Sequence, residues 1–188
     1  MQSSMVSSAR ALAERKLSEA LPRRWRHVQA VTAKAERLSL ALRIQQDREA
    51  LVASAALHDI GYSPSIDATG FHPLDGARWL REIGFNDRVS ALVAHHTNAL
   101  AEAEQRGLDK ELSGEFDREA SLVADLLWYC DLTTGPDGQA FTVEERIAEV
   151  QERYEPDSVV YEFITGSASV FAEVAKRVES VLPPAHPM

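Results

Sequence analysis

The stretch Ala56-Leu57-His58-Asp59-Ile60-Gly61 decides how this chain is read. A histidine and an aspartate stand side by side at the end of an apolar run, with a glycine just beyond. Ahead of them Leu51, Val52, Ala55, Ala56 and Leu57 are small or apolar, which predicts a helix at the centre of the domain. A charge left unpaired at such a helix end is costly. A neutral imidazole and an ionised carboxylate are both good ligands for a divalent metal. A carboxylate also has two oxygens, so one aspartate can bridge two ions. The doublet alone proves little; the other histidines and one late aspartate give it meaning.

Upstream, Val28, Val31, Ala35, Leu38 and Leu42 recur at helical spacing and predict a helix from about Arg23 to Leu42, with His27 beside its buried face. Arg23, Arg24 and Arg26 crowd its start and have two readings, a solvated helix end or contacts for an anionic substrate. Asp47 is a suitable N-cap for the central helix, and Gly61 a suitable stop. Downstream, His72-Pro73 opens a helix with Leu74, Ala77 and Leu80 inward and Gly84 at its end. Asn86 caps a helix running to His95-His96-Thr97. Residues 98–107 read as helix and 108–116 as exposed loop. From Asp117 to Thr133, Ala120, Val123, Ala124, Leu127 and Cys130 form an apolar stripe, with Asp131 on or beside it and Asp125 on a more polar edge. Thr142 with Glu145 forms a capping box, and Pro156 starts a last helical region through Val159, Val160, Phe163 and Ile164.

No alternating strand run, internal repeat or inter-domain linker is evident, so the expected fold is all-α, a bundle of about seven or eight helices. The expected organisation is an N-terminal helix within 1–22, a principal domain over 23–140, C-terminal helices of 141–182 packing on that domain, and a disordered tail, 183–188. Residues 1–6 read as a loose end. A net charge of −9 argues against nonspecific binding of nucleic acid or anionic membrane. No stretch approaches a membrane span, and charges interrupt Ser7 to Leu21, so no signal peptide is read there. The single cysteine, Cys130, permits no internal disulfide, and a cytoplasmic setting is expected. The first and last helices are candidates for completing a pocket or for a homodimer interface.

Five of the six histidines, His27, His58, His72, His95 and His96, fall at or near predicted helix ends, which can meet at one rim of a bundle. Asp59 and Asp131 sit at helix C-terminal ends, where the dipole disfavours anions and a nearby cation would account for them. Singly, each has a plainer reading: a hydrogen-bonded boundary histidine, a loop cap, or the start of the Thr133–Gly138 turn. His186, in the tail, is assigned no role.

Taken in order, His27, His58-Asp59, His72, His95-His96 and Asp131 resemble the HD-domain superfamily of metal-dependent phosphohydrolases, in its expanded dinuclear version H…HD…H…H…D. The resemblance covers about residues 23–140. His72-Pro73-Leu74-Asp75-Gly76-Ala77 looks like the histidine-led helix of dinuclear members, and Val93-Ala94-His95-His96-Thr97 like the next. It implies one divalent metal held by His27, His58, Asp59 and Asp131. A second would be held by Asp59, His72 and His95 or His96, with Asp59 as the bridge and Asp59 and His58 as catalytic residues. Iron, manganese or another transition metal is expected, and magnesium also fits. Two such ions lower the pKa of bound water and hold the resulting hydroxide in line with a phosphorus atom, so no side-chain nucleophile is needed.

The chain also departs from the family pattern. Many members follow the doublet with Ile-Gly-Lys, whereas Tyr62 stands at the lysine position, leaving Arg23, Arg24, Arg26, Arg78 or Arg81 as replacements for a phosphate-contacting cation. No Gly-Tyr-Pro follows His95-His96, which argues against a cyclic dinucleotide substrate. The expected activity is hydrolysis of a nucleotide or other small phosphate ester or anhydride, with dinucleoside tetraphosphates worth testing. Two alternatives share the ligand pattern: a mixed-valent di-iron oxygenase resembling myo-inositol oxygenase, and a metal-containing regulatory module that binds a ligand without turning it over.

Overall fold

Every residue from Ala50 to Leu57 is buried, and the architecture follows from that fact. A helix that is apolar all round must be covered on all sides. A computed structural model describes residues 4–182. The chain enters through α1 (Ser4–Leu17) and α2 (Pro22–Leu38), which cover the central α3 (Gln45–Leu57). It continues through α4 (His72–Glu82), α5 (Asp87–Ala94), α6 (Ala99–Arg106), α7 (Asp109–Glu115) and α8 (Leu122–Leu132). It ends with α9 (Val143–Arg153), α10 (Val159–Gly166) and α11 (Ala168–Val181). Among the described residues the only extended pairing is an isolated bridge between Thr134 and Ala140, so the fold is all-α.

Two apolar clusters flank α3. Its Ala53, Ala56 and Leu57 meet Ala9, Ala13 and Leu17 of α1 and Leu74, Leu80 and Val93 of α4 and α5. Its Ala50, Leu51 and Ala55 meet Val31 and Ala35 of α2, Leu126 and Leu127 of α8, and Phe171 and Val174 of α11. The alanines let neighbouring backbones approach closely, so α3 holds its C-terminal end, and His58 with it, at a fixed place. The C-terminal helices belong to the same body: α11 packs on α8, and α10 on α6 and α9. Among the described residues, no helix is long and apolar enough to cross a membrane.

Several local expectations hold. Pro73 lies in the first turn of α4, Asn86 accepts from the Val89 N–H at 3.1 Å, and Thr142 with Glu145 forms the reciprocal capping box. Others need correction. The helices number eleven among the described residues rather than seven or eight. Residues 109–115 are helical because Leu112 is fully buried, although one apolar residue in a polar segment reads as loop. The last region splits at Ser167 into α10 and α11. α2 ends at Leu38, and Ser39–Ala41 tightens into a 3₁₀ turn. Asp47 does not cap α3: Ile44 holds that position, and the Asp47 carboxylate takes Arg88 at 2.7 Å. Gly61 is no helix stop either, because it lies inside the 3₁₀ turn Ile60–Tyr62 that follows His58-Asp59. Its role is close approach: a Cβ there would sit 2.0 Å from the His72 carbonyl oxygen. The chain is already helical at Ser4; residues 1–3 and the tail 183–188 lie outside the described residues.

Candidate metal centre

Six side chains converge at one end of the bundle, each brought by a helix or its edge. His27 comes from α2, His58 and Asp59 directly follow α3, His72 opens α4, His96 follows α5, and Asp131 lies in the last turn of α8. They form two groups. In one, His27 Nε2 lies 3.1 Å from Asp131 Oδ1 and 3.3 Å from His58 Nε2. In the other, His72 Nε2 lies 3.2 Å from His96 Nε2 and 3.3 Å from Asp59 Oδ1. Asp59 stands between the groups: its other oxygen, Oδ2, is 3.4 Å from His58 Nε2 and 3.7 Å from His27 Nε2.

The donor chemistry fits a metal. His27 Nδ1 faces the Gly135 carbonyl at 3.0 Å, His58 Nδ1 the Ala55 carbonyl at 2.9 Å, and His96 Nδ1 the Val93 carbonyl at 2.6 Å. A carbonyl oxygen can only accept, so each Nδ1 carries the proton and donates it. In its neutral form each ring then presents a bare lone pair at Nε2, and in that form these lone pairs point at one another or at carboxylate oxygens. Such an arrangement is repulsive unless a cation lies between. Metal–ligand bonds of about 2.1 Å put neighbouring ligand atoms about 3.0–3.4 Å apart, and the contacts above fall in or near that range. Carbonyls that fix the tautomer from behind are the usual support of a metal-binding histidine.

The electrostatics agree. Burial is the largest influence on the His58 ring and opposes its charge, yet the carboxylates of Asp59 and Asp131 outweigh it and raise the pKa to about 9. The field that holds a second proton there is the field that favours a cation. Burial holds His72 well below the usual imidazole value and lowers His96 as well, which keeps both rings neutral. For Asp59 burial pulls upward, but Arg24 and then His58 hold its carboxyl well below the ordinary carboxylate range. Asp131 is likewise lowered against its burial, first by His27 and then by His58 beside it.

Strained backbone shapes the cluster. Thr97 (φ 50°) and Asn98 (φ 57°) both take the left-handed conformation directly after His96. For a β-branched threonine this costs energy. The strain turns Thr97 Oγ1 onto Asp131 Oδ2 at 2.5 Å, while Asn98 Nδ2 donates to Ser167 Oγ at 2.9 Å, at the junction of α10 and α11. Thr97 was read in the sequence only as a neighbour of the histidine pair.

The remaining sequence candidates separate clearly. His95 is not with the cluster. Its Nε2 donates to the Phe116 carbonyl at 2.8 Å on the far side of the chain, because the next residue along a helix end points away by a quarter turn or more. Of the three N-terminal arginines only Arg24 reaches the site. It donates to Asp59 Oδ2 at 2.8 Å and lies over the Tyr62 ring, 4.1 Å from the centroid. Tyr62 in turn stacks on His72 at 3.9 Å. Arg23 and Arg26 both turn to Asp137, and Arg78 and Arg81 to Glu115, so none of these four lines the cleft.

A cleft opens over the cluster. Five of the six ligand-type residues, all but His58, line it with Arg24, Tyr62 and Thr97, and α6, α9 and α10 add Arg106, Arg146, Arg153 and Phe163, with Tyr154 just after α9. The part of the lining from α9 was missed in the sequence. Its signal was present: Arg146, Val150 and Arg153 follow i, i+4, i+7 spacing and share one face of α9. Compared with curated proteins and with solved structures, the chain gives no match. The family model for the HD domain matches residues 24–157, well over half of the chain, and with the buried His/Asp cluster in place the chain belongs to the HD domain family.

Proposed function

We propose that the chain is a metal-dependent phosphohydrolase that cleaves a nucleotide or another small phosphate ester or anhydride. The observation that carries this reading is the Asp59 carboxylate set between two groups of bare ligand atoms. His27, His58 and Asp131 with Asp59 would hold one divalent ion, and Asp59, His72 and His96 the other. Such a pair supplies Lewis acidity and a hydroxide at neutral pH.

The chain's own residues do the rest. Arg24 lies at the cleft floor beside the bridging carboxylate, where a guanidinium can take phosphate oxygens, and so stands in for the lysine that Tyr62 replaces. Tyr62 holds the His72 ring by stacking. Thr97 fixes the orientation of Asp131. Cys130 takes no part: burial pushes its thiol up to about 12, so it is protonated and inert.

Elemental analysis of protein purified without an affinity metal should give about two transition-metal ions per chain. The loaded protein should release phosphate from at least one member of a panel of nucleoside phosphates and dinucleoside tetraphosphates. Iron with substrate-dependent oxygen uptake, and no phosphate release, would overturn the reading in favour of an oxygenase.

The two adjacent histidines give a sharper check. His96→Ala should lower metal content by about one ion per chain, because it removes a ligand atom from the second group. His95→Ala should keep both ions and lose about 2 kcal/mol of stability, through the missing bond to Phe116 and the cavity left behind. Metal content beside denaturant melts separates the two. A metal loss in His95→Ala equal to that in His96→Ala would show that the wrong histidine has been assigned.

A further inference from the structure

We infer that the substrate carries a second anionic group, remote from the reacting phosphate, which Arg146 and Arg153 of α9 receive. This inference rests on the phosphohydrolase reading for the identity of the first anion. It narrows the substrate class to a phosphate compound with an apolar middle and a carboxylate or phosphate at its other end.

Charge balance within the cleft is the reason. Arg24 is matched by Asp59, and Arg106 by Glu102 at 2.7 Å. Arg146 and Arg153 have a single carboxylate between them. Glu149 pairs through Oε2 with Arg146 and lies through Oε1 3.3 Å from Arg153 Nε. Two guanidiniums bring about ten N–H donors and two charges against one carboxylate. Arg146 cannot discharge this excess into bulk water, since its side chain is only 14% exposed. Both arginines line the same cleft as His72, His96 and Asp131. Arg146, largely buried with a shared counter-ion, and Arg153, one-third exposed beside it, are matched by an anion arriving in that cleft.

The surface between the two ends is apolar. Val160, Phe163 and Ile164 of α10 form the wall next to the arginine pair, and Phe163 and Ile164 are otherwise buried. Arg153 is further held by lying over the Tyr154 ring, 5.0 Å from its centroid, so the fork is oriented before anything binds.

Binding of non-hydrolysable probes tests this without turnover. The manganese-loaded full chain would be titrated calorimetrically with n-alkylphosphonates of increasing length. Each would be compared with the ω-carboxyalkylphosphonate and the α,ω-bisphosphonate of equal length. At a matching length the doubly anionic compound should bind on the order of tenfold tighter than its singly anionic partner. The better of the two termini identifies the second group as carboxylate or phosphate. Arg146→Gln and Arg153→Gln, each checked for unchanged helicity and metal content, should each shrink that gap. Equal affinities at every length, no binding of any probe, or a gap untouched in both variants would overturn the inference. A gap without phosphate release from any ester would remove the hydrolase reading and keep the subsite. Phosphate release without a gap would do the reverse.

Discussion

Asp59→Ala is expected to abolish phosphate release and to leave the chain unresponsive to divalent metal. Asp59 is the one residue whose two oxygens face different groups, Oδ1 toward His72 and Oδ2 toward His58 and His27. Removing either terminal ligand depletes one ion, whereas removing Asp59 depletes both. Lewis acidity and hydroxide supply are worth several kcal/mol, so turnover should fall about a thousandfold or more. The second readout needs no substrate. Metal at a hundred times its Kd stabilises a native state by about 2.7 kcal/mol, roughly 5–10 °C in Tm for a chain of this size. The wild type should show such a shift and the variant almost none. The variant should still fold, because Arg24, which loses its partner, keeps its place over Tyr62 and its side chain is one-third exposed to water. A folded Asp59→Ala chain with wild-type turnover or an intact metal-induced shift would sink the bridged-site assignment.

The ligand set was legible because its chemistry is unusual and its placement regular. Five histidines at or near helix ends and two aspartates at helix C-termini are hard to explain singly and fit one another jointly. The choice within His95-His96 stayed open, since adjacent residues at a helix end differ in direction; the bond from His95 Nε2 to the Phe116 carbonyl, distant in sequence, holds that ring away from the cluster. The same limit applied to Arg23, Arg24 and Arg26, which fan around one helix start; Asp137, from a turn far along the chain, draws two of them away and leaves Arg24 to Asp59. Arg146 and Arg153 share a face of α9 by their spacing, but nothing local marks that face as a site. Their meaning depends on α10 closing the cleft beside them, a contact that local spacing does not encode. Gly61 shows the opposite error. A glycine just past an apolar helix reads as a C-cap, but its φ is not in the left-handed range and what it supplies is the absence of a side chain.

That reading of Gly61 leads to the other large effect. Gly61→Ala is expected to destabilise the fold by about 3 kcal/mol or more and to weaken metal binding at the same time. The added Cβ would lie 2.0 Å from His72 O, 2.8 Å from His72 C and 2.7 Å from Gly76 N. All three are backbone atoms, so no rotamer change relieves the overlap. The turn Ile60–Tyr62 and the start of α4 must instead move apart by about an ångström. Asp59 immediately precedes that turn and His72 opens that helix, so the separation falls on the 3.3 Å contact between Asp59 Oδ1 and His72 Nε2. Gly114→Ala is the matched control. It lies within α7, nothing approaches the added Cβ within 4 Å, and alanine there should stabilise by about 0.5–1 kcal/mol. Denaturant melts and metal titrations on both variants decide the matter. If Gly61→Ala matched the wild type within about 1 kcal/mol and bound metal equally well, the turn and α4 would not be in backbone contact, and the route by which the fold sets Asp59 against His72 would have to be sought elsewhere.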